Sequence, residues 1–155
     1  MRAKGICECQ HVRFEFEGLP LFRAFCHCKI CQEFNQADFA DIIVVRSKDI
    51  TVREMERIKF KSYRQPPILS RGRCVKCNGV AIETMRIPVL PRLTILPYQT
   101  LSRATGVPDP QFHMFYHRRV KEVCDDLPKS SNYLQSQLRF SSALLAGLLR
   151  NKTSH

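Results

Sequence analysis

The stretch Cys26-His27-Cys28-Lys29-Ile30-Cys31 places three thiols within six residues, in the spacing C-x-C-x-x-C. An apolar run, Leu21-Phe22-Arg23-Ala24-Phe25, leads into it and predicts a strand that stops where a tight loop begins. In such a loop three sulfurs can converge on one point. Four thiolates close a tetrahedral zinc site, whereas three leave one position for water or substrate. The stretch therefore predicts either an open, reactive metal site or one that a fourth cysteine closes into a staple.

The other cysteines narrow this. The chain has eight: Cys7, Cys9, Cys26, Cys28, Cys31, Cys74, Cys77 and Cys124. All but Cys124 fall in C-x-C, C-x-C-x-x-C or C-x-x-C groups. The first ten residues carry charges and two cysteines with no apolar core, so no signal peptide is expected and the protein is expected in the cytoplasm. Close cysteine pairs in that setting favour metal ligation over a disulfide framework. Two pairings are open. Cys74 and Cys77 can join Cys7 and Cys9, leaving Cys26, Cys28 and Cys31 as a separate group, or they can join two of the central three. The first leaves no clustered thiol orphaned and is preferred on economy. It would also close a loop of roughly sixty-five residues and add metal-binding energy to folding. Cys7 and Cys9, read as extended backbone, would point to one side. Cys124 reads as a small buried hydrophobe.

Between the cysteines the pattern is mainly β. Val12, Phe14 and Phe16 alternate with Arg13, Glu15 and Glu17, which predicts a strand with one dry face. Ile42–Val45, Ile50–Val52, Ile58–Tyr63, Ile68–Arg73, Val80–Thr84, Leu93–Leu96, Phe112–Tyr116 and Val120–Val123 read as further strands. Residues 32–39 read as a polar, aromatic loop with at most one helical turn. Cys74-Val75-Lys76-Cys77-Asn78-Gly79 reads as a knuckle whose glycine takes positive φ. From Asn132 to Arg150, Leu134, Leu138, Leu145 and Leu148/Leu149 fit a helix with a broad apolar face, capped by Ser130, Ser131 or Asn132. That face is expected to dock on the parent domain or to make a homo-oligomer. The expected organisation is a zinc domain over residues 1–129 and a helical extension over 130–155.

Composition limits the partners. A chain of 155 residues can bury a core as one domain. The longest apolar run, Ala143–Leu149, is interrupted by Gly147 and is too short to span a bilayer, so no membrane partner is expected. The net charge of +11 is uneven: −1 over residues 1–41, +7 over 42–80 and +5 over 81–155. A basic domain attracts anions, whether nucleic acid, an acidic protein or a small carboxylate. Phe60 and Tyr63 beside Lys59, Lys61 and Arg64 make only a modest nucleic-acid surface, so that partner is not expected. No glycine-rich phosphate loop and no Ser/His/Asp signature appears.

Taken together, Gly5-x-Cys7-x-Cys9, Cys26-His27-Cys28-x-x-Cys31 and Arg73-Cys74-x-x-Cys77-x-Gly79 resemble the glutathione-dependent formaldehyde-activating enzyme family, a domain shared with centromere protein V. Pro110-x-x-His113 and Asp126-Leu127-Pro128 resemble its later motifs, so the likeness covers residues 3–129. The chain departs from that pattern with Glu33-Phe34-Asn35-Gln36 after the central cluster and Arg73 before the knuckle. The resemblance implies a β-tent fold of small antiparallel sheets. It implies two zinc ions per chain, a structural one on Cys7, Cys9, Cys74 and Cys77 and a second, catalytic one on Cys26, Cys28 and Cys31.

The implied activity is that of a carbon–sulfur lyase acting on glutathione and formaldehyde. A thiol on the second zinc would lose its proton near neutral pH and add to the aldehyde. Arg64 or Arg71 would hold the glutathione carboxylates. His27 is expected in a supporting or surface position, His113 as a hydrogen-bonded structural residue and His117 at the surface. Asp125 and Asp126 are expected in a turn or cap, the alternative being that they orient a basic group. The alternative is a non-catalytic zinc module that binds an acidic protein or nucleic acid.

Overall fold

In the computed structural model, which describes residues 1–150, burial follows the alternation read from the sequence. Phe14 and Phe16 are buried while Arg13, Glu15 and Glu17 face water. In chain order the strands are β1 (Arg2–Ile6), β2 (Arg13–Glu17), β3 (Phe22–Cys26), β4 (Ala40–Arg46), β5 (Ile50–Val52), β6 (Ile58–Ser62), β7 (Leu69–Cys74), β8 (Val80–Met85), β9 (Leu93–Pro97), β10 (Leu101–Thr105) and β11 (His113–Met114). Two helices, α1 (Lys29–Asn35) and α2 (Tyr133–Arg150), complete the fold. The class is the expected one, mainly β with a C-terminal helix. The chain divides into two compact units.

One unit comprises Met1–Leu19 and Val44–Val107. It holds a four-stranded antiparallel sheet in the order β10-β1-β2-β5. It also holds the antiparallel run β9-β8-β7-β6. Arg71 on β7 lies opposite Glu83 on β8, and the two side chains form a buried ion pair. Arg71 is therefore not the surface cation expected to bind a substrate carboxylate. A guanidinium removed from water is tolerated only with such a partner.

The other unit comprises Pro20–Ile43 and the chain from Pro108 onward. Leu21, just before β3, and Phe22 and Ala24 on it are buried, as the apolar run requires. β11 pairs with β3 in parallel register, His113 opposite Phe25 and Met114 opposite Cys26. Only those two residues of the expected strand Phe112–Tyr116 make a ladder, because Phe115 turns at φ 53. Val120–Val123 forms no strand. Val120 is exposed there, and the Val123 amide donates to the Tyr116 hydroxyl at 2.9 Å. Residues 29–35 form a helix of seven residues, which starts inside the central cluster and runs into the expected loop of residues 32–39, where one helical turn was allowed.

Within its own unit α2 docks by a face other than the leucine one. Leu134, Leu138, Leu145 and Leu149 are exposed, and the buried positions are Ser136, Leu144 and Gly147. Phe140, on the same side, packs edge-on against Phe22 with ring centroids 5.2 Å apart. The Ser136 hydroxyl accepts the Phe115 amide at 2.8 Å. Asn132 is the cap, accepting the Gln135 amide at 2.9 Å. The small residues Ser136 and Gly147 let the helix approach closely. Their stripe, and not the leucine stripe, sets the docking face. No helix among the described residues is long and apolar enough to cross a membrane.

Candidate metal centres

Two groups of thiols gather. In the first, the sulfurs of Cys7, Cys9, Cys74 and Cys77 all lie within 4.8 Å of one another. Two separations are 3.6 Å (Cys7 to Cys9) and 3.8 Å (Cys9 to Cys74). A zinc–sulfur bond of about 2.3 Å in a tetrahedron demands sulfurs about 3.8 Å apart. The donor set and its spacing therefore fit a four-thiolate metal site.

Each pair rides on a turn made by its neighbours. Cys7 follows the last residue of β1, and the chain does not stay extended as expected. The Gln10 amide donates to the Cys7 carbonyl at 2.8 Å, and Gln10 takes φ 60. In the second knuckle Asn78, and not Gly79, takes the left-handed conformation, at φ 55. Gly79 is needed for space, since a Cβ there would lie 3.1 Å from the Cys77 sulfur. Backbone amides point at the sulfurs: Val12 to Cys7 at 3.2 Å, Lys76 to Cys74 at 3.4 Å and Gly79 to Cys77 at 3.4 Å. Such donors stabilise thiolates.

Protons are shared unequally across this group. Burial would raise Cys77, but the amides of Cys9 and Gly79 and two neighbouring thiols pull it down to about 6. The His11 amide lowers Cys9, but burial and the sulfurs of Cys77, Cys7 and Cys74 push it up to about 12. The Cys77 anion thus forms readily, whereas the Cys9 anion is disfavoured.

The second group is Cys26, Cys28 and Cys31, whose sulfurs also lie within 4.8 Å of one another. No fourth cysteine, histidine or carboxylate joins them among the described residues. Cys26 ends β3, Cys28 caps α1 with extended backbone, and its sulfur accepts the Cys31 amide at 3.4 Å. Cys31 and Phe34, three residues apart on α1, are both buried. The helix thus turns the third sulfur back onto the first two. The sulfurs of Cys28 and Cys31, together with burial, push Cys26 well above the ordinary thiol range. A metal ion would reverse that by supplying the missing positive charge.

His27, between the first two sulfurs, is fully buried and not at the surface. Its Nε2 lies 2.8 Å from His113 Nδ1, and His113 Nε2 lies 2.8 Å from Asp125 Oδ2. Lys129 Nζ donates to Asp125 Oδ1 at 2.8 Å. Asp125 thus orients a basic ring as well as making the expected turn, in which the Leu127 amide donates to Oδ1 at 3.2 Å. The Lys129 ammonium, with help from His113, holds Asp125 down at about 2. Burial first, then the neighbouring His113 and Arg119, lower His27 to about 4. His113 is buried and hydrogen-bonded as expected, and His117 is exposed. Cys124 is exposed, against expectation, and belongs to neither group. Sequence reasoning missed the His27–His113–Asp125–Lys129 chain, because its central contact joins residues 86 apart with no spacing signal.

The family described as glutathione-dependent formaldehyde-activating enzyme matches residues 2–118. A crystal structure of a Rhodobacter sphaeroides protein is similar in fold, with a TM-score of 0.52 at 20% identity, covering 66% of this chain and 91% of that one. Among curated proteins, none matches the chain. Two thiol groups that could hold metal ions, carried on small β-sheets with every clustered cysteine inside the matched segment, place the chain in its family: it belongs to the glutathione-dependent formaldehyde-activating enzymes.

Proposed function

We propose that this chain is a zinc enzyme joining a thiol to an aldehyde, with glutathione and formaldehyde as the pair, and running as a carbon–sulfur lyase in reverse. The observation that carries the reading is the group of three sulfurs with no fourth cysteine, histidine or carboxylate beside it among the described residues. Cys26, Cys28 and Cys31 would hold a zinc ion with one position left for the substrate. Cys7, Cys9, Cys74 and Cys77 would hold a second, structural one. Bound zinc would stabilise a thiolate near neutral pH.

The reaction balances without a further reagent. The glutathione sulfur forms a bond to the formaldehyde carbon, the carbonyl pair moves to oxygen, and the proton lost from the thiol returns to that oxygen as S-hydroxymethylglutathione. The chain's own contribution is placement. The Cys31 amide supports the Cys28 sulfur, and α1 brings Cys31 onto the same point. Residues 1–129 would carry the chemistry. The extension from residue 130 would support β3, through Phe140 against Phe22, without reacting. Free-thiol clusters of this kind suit the reducing cytoplasm.

Cobalt substitution tests the reading, because sulfur-to-cobalt charge-transfer bands strengthen when another thiolate joins. Adding glutathione to the cobalt protein should intensify the bands and release about one proton per chain. S-methylglutathione should do neither. With zinc, the protein should consume formaldehyde and glutathione faster than the uncatalysed reaction, and Cys31→Ser should lose that rate. Four sulfurs on cobalt at the central site before glutathione is added would make the site closed and the enzyme reading wrong.

A further inference from the structure

His27 stands between two of the three proposed zinc ligands, and every polar group it uses is held. Its backbone amide donates to the Met114 carbonyl at 3.0 Å. Its carbonyl accepts Gln32 Nε2 at 2.8 Å, and the same Gln32 nitrogen reaches the Arg118 carbonyl at 2.9 Å. Its ring nitrogen meets His113. With three anchors on the middle residue, the directions of Cys26 and Cys28 on either side are set by groups that bind no metal themselves.

The far end of this arrangement is Asp125, seven residues beyond the segment that matches the family. We propose that Asp125 is a positioning residue for the central thiol cluster: through His113 it fixes the tautomer and orientation of His27, and thereby the Cys26-His27-Cys28 segment. This rests on reading that cluster as the zinc site of the proposed function. The hydrogen bonds set the direction of the chain. A carboxylate only accepts, so His113 donates from Nε2. In a neutral His113, Nδ1 then accepts, and His27 must donate from Nε2. That leaves His27 Nδ1 as a bare lone pair, and Nδ1 is indeed a buried atom with no hydrogen-bond partner. The opposite polarity would leave an N–H donor there instead. Lys129, bonded to the second oxygen of Asp125, holds the carboxylate in place. Hydrogen bonds to metal ligands, when lost, typically cost about 10- to 100-fold in metal affinity or activity, and here the bonds act on the residue between two ligands.

The test uses the full-length, zinc-loaded chain. Nitrogen NMR of the histidine rings should show His27 protonated at Nε2 and bare at Nδ1. Asp125→Ala should disturb that signature and weaken zinc binding at the central cluster by about 10-fold or more, read by chelator competition. If glutathione and formaldehyde are turned over, the same variant should lower kcat by a similar factor with KM for glutathione within about twofold. A wild-type His27 protonated at Nδ1, or an Asp125→Ala protein with wild-type central zinc affinity, overturns the assignment. Should Asp125→Ala fail to fold, the wild-type ring signature decides alone. Chelator competition needs no turnover, so a chain that does not join thiol to aldehyde overturns the proposed function and leaves this measurement standing.

Discussion

Gly147 on α2 lies so close to Leu21 that a Cβ added to it would come within 2.7 Å of the Leu21 carbonyl oxygen. Two effects of Gly147→Ala oppose each other. Alanine favours a helix interior by about 1 kcal/mol over glycine. Overpacking against another segment's backbone costs about 1–3 kcal/mol, and a carbonyl cannot swing aside as a side-chain end can. The clash should win. The variant is expected to unfold at lower denaturant concentration than the wild type, by up to about 2 kcal/mol, as measured by urea titration.

The exposed and buried sides of α2 should separate cleanly. Leu144 is 3% exposed and Leu138 is 58% exposed. Leu144→Ala should cost about 2–4 kcal/mol, whereas Leu138→Gln should stay within about 0.5 kcal/mol of wild type. Equal losses in the two variants' melts would restore the leucine stripe as the docking face.

The two thiol groups should differ in what they support. Cys74 ends β7, and Cys7 follows β1, so the four-thiol group ties two sheets of one unit together. Cys77→Ala is expected to abolish soluble folded protein. Cys28→Ala, at a half-buried cap, should leave the melting temperature nearly unchanged and remove one metal equivalent. Metal analysis alongside thermal melts checks both, and identical melts would make the division of roles wrong.

The buried pair Arg71 and Glu83 sets a third stability contrast. Removing one partner takes away the main counter-charge of a buried ion, so Glu83→Ala should cost about 3–5 kcal/mol. Replacing both with apolar residues, Arg71→Met with Glu83→Leu, should recover most of that loss. A double variant as unstable as the single one would show that the pair contributes more than mutual neutralisation.

Asp125 gives a pH dependence with a definite sign. Its carboxyl is held at about 2, below the ordinary value of 3.8. A group depressed on folding stabilises the protein above its unfolded pKa, and that contribution is lost as pH falls through the folded one. The stability gap between wild type and Asp125→Asn should therefore shrink as pH falls from 3.8 to about 2. Taking the difference cancels thiolate protonation common to both proteins. A gap that instead grows on acidification would place the carboxyl's partner elsewhere.

Part of this protein is legible along the chain because it depends on neighbours. The C-x-C-x-x-C spacing brings Cys26, Cys28 and Cys31 together within one strand end and one turn of helix. Alternation at Phe14 and Phe16 sets the dry face of β2, since strand side chains change sides with period two. β10 (burial mostly exposed) carries no such alternation and is a strand only because β1 pairs with it, which no local pattern announces. The helix Tyr133–Arg150 is periodic in leucine, but periodicity names a stripe and not its partner. Close approach to Leu21 selected the face of Ser136, Leu144 and Gly147, because small residues allow backbones to meet where leucines hold them apart. Economy of thiols favoured Cys7 and Cys9 with Cys74 and Cys77, but only folding brought sulfurs 65 residues apart to 3.8 Å. Tertiary structure alone decided that His27 turns inward to His113 and that Asp125 holds the other end. A hydrogen bond needs about 3 Å in space and sets no separation along the chain.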